Sequence, residues 1–431
     1  MAWPERAPGD PVLSDVFEDS WARKLGDTVD IEIRTIAPEE YAAYIDALTA
    51  GFGGHARPED IERERMVAEI DRCLAALDGP EIVGGASAAS FTLTVPGGSV
   101  RAAGVTGVAV KPTHRRQGIN SALMRRQLDD VRANGEPIAI LYASEGGIYG
   151  RFGYGLGSFR CSMDVERERT AFVRGYRSSG RTRLLRREDA LAAMRPLYDR
   201  VRLDRPGGIG LDPTWFAYRF AESNWGEDRK WFYAVHEGAD GLDAYAVYRV
   251  EHGKYGDHRN GLAVEEVQAS SPQAYAEMWR YLFDVDLIER ITAWNRPIDD
   301  PLLQVLQEPD RLRLRIKDAL WVRPVDVPRS FESRRYAAEG RVTIEVRDLF
   351  CPWNEGRYMV EGGPDGASCV TTHAEPDLVM SVNELGAAYL GGVSFRQLHR
   401  AGRVREERPG ALTRVDALFA WDPAPWCSFV F

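Results

Sequence analysis

The chain has 431 residues, too many for one hydrophobic core, and its length predicts two to three domains. Hydrophobic residues at 44% and charged residues at 28% are ordinary proportions for a globular protein with a sizeable interior. A net charge of -10 and a pI near 5.4 exclude nucleic acid as the main partner, since phosphate binding needs a basic face, and they fit a cationic substrate. Cys73, Cys161, Cys351, Cys369 and Cys427 stand apart without C-x-x-C pairs, so neither a metal site nor a disulfide framework is indicated, and buried free thiols are expected. No apolar run approaches the ~18 residues of a membrane span, and MAWPERAPGDP lacks a signal-peptide pattern. A cytoplasmic protein is the expectation.

Residues 1 to about 28 are polar, with Pro4, Pro8 and Pro11, and read as an arm. Asp30 to Arg34 alternates apolar and charged residues, the pattern of a half-buried strand. Pro38 opens a helix with Tyr41, Tyr44, Ile45 and Leu48 on one face, and Gly51-Phe52-Gly53-Gly54 ends it. Cys73 to Leu77, Ile82 to Val95 and Ser99 to Val110 predict three antiparallel strands joined by tight turns.

The third of these strands leads into Lys111 to Gly118, a basic turn, then an amphipathic helix from about Asn120 to Asn134 and a second apolar strand, Ile138 to Ala143. A strand, a tight turn ending in Gly and a helix start make an anion cradle, because unpaired amides converge where the helix dipole is positive. Such a cradle suits a pyrophosphate. Arg115-Arg116-Gln117-Gly118-Ile119-Asn120 is close to the R/Q-x-x-G-x-G/A signature of the GNAT acetyltransferases, with Asn120 in the sixth position. The continuation Ser144-Glu145-Gly146-Gly147-Ile148-Tyr149-Gly150-Arg151-Phe152-Gly153-Tyr154-Gly155 resembles the Eis family of aminoglycoside and protein N-acetyltransferases, whose members also end in Phe, as this chain does at Phe431.

Phe159 to Val165 is expected to supply a last strand to this first domain, and Arg174 to Arg181 reads as a linker. A helix at Glu188 to Arg200, an aromatic segment at Trp215 to Phe220, strands at Trp231 to Val235, Ala244 to Val250 and Leu262 to Val267, a helix from Pro272 to Phe283 and a strand at Ile288 to Trp294 follow. Trp321 to Val325 is expected to close that domain. The order repeats the first domain's, but the turn Ala269-Ser270-Ser271-Pro272 lacks the Arg and Gly of a pyrophosphate cradle. It reads as an empty copy of the GNAT fold, as the resemblance also implies. From about Arg329, strands near Val342 to Val346, Arg357 to Val360, Ser368 to Thr372 and Leu378 to Ser381 precede helices near Leu385, Phe395 and Ala411, an α+β unit. The resemblance implies a sterol-carrier-protein-like domain there. The expected fold is therefore α+β (mixed α/β), with two GNAT-like domains over 1–175 and 176–326 and the third domain over 327–431.

Acetyl transfer from a thioester to an amine needs a donor held by its pyrophosphate, a base for the amine proton and an acid for the departing thiolate. Val108, Ala109 and Val110 can offer backbone groups to acetyl-CoA, and Arg116, Gln117, Gly118, Ile119, Asn120 and Ser121 can offer amides at the helix start. Tyr149 is the candidate acid, because a phenol is protonated at neutral pH, and it matches the family's acid. Tyr154 is the competing assignment, read as packing. By the same match Ser144 and Glu145 contact the coenzyme. His114 is read as facing solvent or phosphate, and Trp215, Trp225 and Trp353 as core.

The tail Trp426 to Phe431 is apolar where free tails are usually polar, so it is expected to dock inside the protein. The resemblance implies that the α-carboxylate of Phe431 is the general base. It also implies a homo-oligomer, a hexamer, and amine acceptors that are polycationic small molecules of the aminoglycoside kind or lysine side chains, held in a wide acidic pocket. Val430 and Gly54 stand where acidic residues of that pocket are expected. The reading from another class is a lipid or small-ligand binder that uses its C-terminal domain, with the GNAT part as scaffold.

Overall fold

A computed structural model describes residues 31–173, 179–224, 227–253 and 260–431. The arm, Asp30, Trp225 and residues 174–178 of the linker lie outside them. The first sheet contains β1 (Glu32–Thr35), β2 (Cys73–Asp78), β3 (Glu81–Val95), β4 (Gly98–Val110) and β5 (Ile138–Tyr142). These four neighbouring pairs are antiparallel up to β4, whereas β4 and β5 run parallel. Helix α1 (Tyr41–Gly51) packs on β3 and β4 with Tyr41, Tyr44, Ile45 and Leu48 buried, as the apolar spacing predicts.

A helix that the sequence reading passed over, α2 (Pro58–Arg65), follows it. Its residues PEDIERER show no apolar stripe, but Pro58 at its first turn, Glu59 and Asp60 beside it and Arg63 and Arg65 at its end are helix start and stop signals. Asp60 is fully buried, and Arg57 and Arg63 each reach it at 2.7 Å. Helix α3 (Ile119–Ala133) crosses from β4 to β5 and buries Leu123, Met124, Leu128 and Val131 against the sheet.

The continuation overturns two expectations. After α4 (Gly146–Tyr149) and the short strand β6 (Gly155–Leu156), strand β7 (Phe159–Glu166) leaves the first domain and pairs antiparallel with Ile288–Arg296 in the second sheet. In return Leu320–Pro324, expected to close the second domain, inserts between β5 and β6 of the first sheet. Each sheet is thus completed by a strand from the other half of the chain. The alternation of β7 marks it as a strand but carries no information about which sheet receives it.

The second sheet runs in the order Arg315–Asp318, β7, Ile288–Arg296, Asn260–Ala269, Gly241–Glu251, Phe232–Gly238, Arg181–Leu185. Helices α5 (Arg187–Val201) and α7 (Pro272–Asp284) pack against it, and α6 (Pro213–Arg219) turns back toward β3 and the tail. The C-terminal domain is a five-stranded sheet with helices, centred on the parallel pair Gly340–Arg347 and Leu378–Ser381. Its interior is filled: the Phe419 ring lies 4.9 Å from Phe395, 5.2 Å from Tyr336 and 5.9 Å from Phe331.

Two contacts lock this domain to the exchanged strand and to its neighbour β6. Arg323, wholly buried, donates from its Nη2 to both carboxylate oxygens of Asp348, at 2.9 and 2.7 Å, and Asn354 donates to the same carboxylate at 3.0 Å. Helix Val382–Ala388 lies so close to β6 that a Cβ on Gly155 would meet the Asn383 carbonyl oxygen at 1.8 Å. All five cysteines are free and buried.

Candidate active site

The first sheet splays at its centre. Only Ala102 to Gly104 of β4 pair with Ile138 to Ile140 of β5, after which the strands part. A β-bulge enforces the parting, since Gly107 and Val108 together oppose the single residue Ala86, and Gly107 adopts φ 61°. The β5-facing edge of Val108, Ala109 and Val110 has no strand partner among the described residues, although the Val110 carbonyl accepts from Arg115 Nε at 3.3 Å. An extended ligand arm can pair there as a strand would.

At the end of β4, α3 begins at Gly118 in the left-handed region, φ 82°, with no side chain capping its first turn. Arg116 also has positive φ, 65°, a conformation that costs a non-glycine residue energy and is found at ligand clamps. Arg115 is turned away to the Gly51 carbonyl of α1, which leaves the amides of the turn open. The equivalent helix of the second domain is closed, because Ser271 Oγ accepts from Ala274 N at 3.1 Å and occupies the site an anion would take. The uncapped first-turn amides fit a pyrophosphate; the capped ones do not. Arg116 and Gly118 are exposed, Gln117, Asn120 and Ser121 half-buried and Ile119 buried beneath the turn.

His114 contacts Thr113 Oγ1 at 2.8 Å and Asp78 at 3.3 Å, on the outside of the turn. Ser144 and Glu145 are exposed just past β5. Substituting Gly118→Asp should weaken acetyl-CoA binding by roughly tenfold or more, since a carboxylate opposes the phosphates and a Cβ strains the left-handed turn. Calorimetric titration checks it, and an affinity unchanged within about twofold would remove the cradle assignment.

Tyr149 is 6% exposed, in the apolar cluster that also holds Val105, Ala139, Met124 and Leu128. Its ring meets Tyr154 at 6.0 Å and Phe152 at 6.4 Å, and its hydroxyl makes no hydrogen bond among the described residues. Burial pushes its phenol up to about 12. Tyr154 is wholly buried with its hydroxyl unpartnered, and burial raises it further, as suits packing. The loop that carries Tyr149 is held by Asn383 of the C-terminal domain, which donates to Gly150 O at 2.6 Å and Tyr154 O at 3.0 Å.

The tail docks between the two GNAT domains. Trp426 donates its amide to Pro206 O at 2.8 Å, Asn295 holds Cys427 O at 3.1 Å and Ser428 O at 3.2 Å, and Tyr142 of β5 donates to Cys427 O at 3.2 Å. The Phe431 ring reaches Phe91 at 5.0 Å and Tyr142 at 5.6 Å. Phe431 forms a wall of two adjoining cavities of about 530 Å³ each, which share Glu64, Thr106, Trp215 and Tyr218 as well. Thr106 adjoins the bulge of β4, so the cavities meet where the sheet splays. Tyr149 is not among their lining residues.

Sequence reading missed most of these walls. Trp215, read as core, lines both cavities, and Glu64 comes from the overlooked α2. Glu265 lines one of them and accepts from Trp294 Nε1 at 2.8 Å; burial raises its carboxyl, against the opposing field of Arg219. The adjacent Glu265-Glu266 inside the apolar strand Asn260–Ala269 was the available signal, and Glu266 is the buried partner of Arg219 at 2.9 Å. Among the described residues no group of His, Cys, Asp and Glu could hold a metal, and no helix is long and apolar enough to cross a membrane.

The model of the acetyltransferase (GNAT) domain matches residues 32–157, a second GNAT model matches 207–324, and the sterol carrier protein domain matches 327–428. The N-acetyltransferase Eis of Mycobacterium tuberculosis is 33% identical over 400 residues, covering 89% of this chain and 95% of that protein. The chain belongs to the Eis family of N-acetyltransferases. A Streptomyces avermitilis protein described as an uncharacterized N-acetyltransferase is 42% identical over 411 residues, covering 92% of this chain and 98% of its own. The crystal structure of Eis1 from Mycobacterium abscessus superposes with a TM-score of 0.81 at 31% identity, covering 93% of this chain and 100% of that one. Membership in the Eis family makes this chain an N-acetyltransferase, and the GNAT fold implies acetyl-CoA as its donor.

Proposed function

We propose that this chain moves the acetyl group of acetyl-CoA to a primary amine of a polycationic small molecule or a lysine side chain, with Tyr149 as general acid and the Phe431 carboxylate as general base. The supporting observation is the docked tail, which brings the last residue to the common wall of both cavities beside the β4 bulge. In this reading Val108 to Val110 pair with the donor's arm, Arg116 to Ser121 hold its pyrophosphate, and Ser144 and Glu145 flank it. The amine nitrogen bonds to the thioester carbon, the terminal carboxylate takes the surplus amine proton, the C–S bond breaks, and Tyr149 gives its proton to the sulfur. Amide and free thiol result, and both groups reset by exchange with water.

Mixing the protein with acetyl-CoA and a panel of amines should release free thiol in step with acetylated amine. Release with none of them would remove the reading. Domain limits of 1–175, 176–326 and 327–431, with the strands Phe159–Glu166 and Leu320–Pro324 exchanged between the first two units, a cytoplasmic setting and a homohexamer belong to the same proposal, and a monomer by light scattering would contradict the last. The lipid-binding alternative is the weaker one, because the rings of Phe331, Tyr336, Phe395 and Phe419 occupy the interior that a lipid would need.

A further inference from the structure

The second GNAT sheet parts at its centre as the first one does. Its strands Asn260–Ala269 and Ile288–Arg296 pair in parallel as far as Val264 and Ala293 and then separate, just as β4 and β5 separate after Gly104 and Ile140. A bulge accompanies the parting here too. Val247 pairs with Glu266 and Tyr248 with Val264, so Glu265 is an extra residue that the ladder skips. Bulges bend a strand and re-aim a side chain. In the first sheet the bulge is made by Gly107 and Val108, whereas in the second it sets a carboxylate into the wall of the cavity that Phe431 also lines.

The other charged side chains of that cavity are engaged. Arg219 pairs with Glu266 at 2.9 Å, Arg63 with Asp60 at 2.7 Å and with Glu64 at 3.1 Å, and Arg249 with Glu251 at 2.7 Å, while Arg229 lies over the Trp231 ring at 5.9 Å. Glu265 has a single polar contact, from Trp294 Nε1 to its Oε2 at 2.8 Å. No hydrogen bond or ion pair among the described residues reaches its Oε1, and that oxygen is not sealed in protein. Burial raises the Glu265 carboxyl and Glu266 adds to the rise, against the fields of Arg219 and Arg229. A cation brought to Oε1 would hold the ionised form, so ligand and carboxylate stabilise each other.

Resting on the acetyl-transfer reading above, we infer that the acceptor carries a second cationic group besides its reacting amine, and that Glu265 receives this group while the Phe431 carboxylate faces the reacting one. Trp294, the first residue past the parting on its own strand, is the positioning residue that fixes the carboxylate. Glu64 does not compete for the cation, because Arg63 and the Tyr218 hydroxyl already hold it. Diamines, polyamines and aminoglycosides satisfy the requirement, and a lysine side chain does so when a second cationic residue is its neighbour.

The test is kcat/KM by thiol release for hexylamine and hexamethylenediamine, which differ by one ammonium at equal carbon number, with spermidine as a longer probe, in wild type and in Glu265→Gln. The amide keeps an oxygen for Trp294 and removes the charge, and an unchanged acetyl-CoA affinity verifies the fold. Wild type should prefer the diamine and spermidine over hexylamine by roughly tenfold or more, the range of a hydrogen bond to a charged group. Glu265→Gln should abolish that preference and leave hexylamine within about twofold. The wild-type preference should also shrink as pH falls, since protonating Glu265 removes the charge that the second ammonium needs, and this measurement does not depend on the variant. Hexylamine turned over by wild type as fast as the diamine would overturn the inference while acetyl transfer stands. An intact preference in Glu265→Gln would also overturn it, as would an equal loss with all the amines, which would place Glu265 in the proton transfer itself. Release with none of the amines removes both readings together.

Discussion

Extending the chain past Phe431 with a short polar tag should lower amine acetylation by roughly 10²-fold or more, the usual scale for a lost general base. The tag converts the α-carboxylate into an amide, which cannot accept the proton, and carries the new terminus out of the junction of the two cavities. The tail should stay docked, because its anchors lie upstream at Trp426, Cys427 and Ser428, where Pro206, Asn295 and Tyr142 hold it. Acetyl-CoA affinity should be unchanged, since the turn at Gly118 is formed by other elements. Deleting Phe431 should act similarly. The terminus then retreats by one residue, about 3.3 Å in an extended chain, and the ring that packs on Phe91 and Tyr142 is lost as well. Thiol-release rates with calorimetric affinities check both variants. A tagged protein as fast as the untagged one would move the role to another group, and Glu265 is the cavity carboxyl whose proton affinity is already raised by burial.

Tyr149→Phe should lower kcat by roughly 10²-fold while acetyl-CoA affinity stays within about twofold, because a general acid acts in the transition state. The substitution keeps the ring that packs against Tyr154 and Phe152, so the loop keeps its shape. Burial moves the phenol up to about 12, above the usual value near 10, so the proton-donating form persists throughout the neutral and mildly alkaline range. Any activity lost by ionising this group is therefore lost above pH 10, on the alkaline side. Tyr154→Phe is the discriminating control. Its hydroxyl is buried without a partner, so removing it relieves an unsatisfied group and should leave kcat within about twofold and stability equal or greater. Full activity in Tyr149→Phe, or a large loss in Tyr154→Phe, would reverse the two assignments.

What could be read from the chain alone are features whose physics is local. A glycine at a helix start, an arginine-rich turn and an apolar strand on each side lie within a few residues of one another, so the uncapped helix start at Gly118 and the different turn at Ser271 were both legible. The apolar tail was legible for a similar reason, since a run ending in Phe429 and Phe431 has to be buried somewhere. Where it is buried was not. Its partners Phe91, Tyr142, Pro206 and Asn295 are scattered across both GNAT domains.

The strand exchange was decided by tertiary structure for the same reason. The residues Phe159–Glu166 and Leu320–Pro324 have the alternation and the apolar run of strands, and either sheet offers hydrogen bonds to either of them. The choice rests on non-local packing, including the Arg323 and Asp348 pair and the close approach of Asn383 to Gly155, which tie the inserted strand and β6 to the C-terminal domain. Helix α2 escaped notice because its buried face is a carboxylate satisfied by Arg57 and Arg63, which leaves no apolar periodicity to detect. The two cavities at Phe431 combine α1, α2, β4, α6 and the tail, so their lining exists only after these distant segments have folded together.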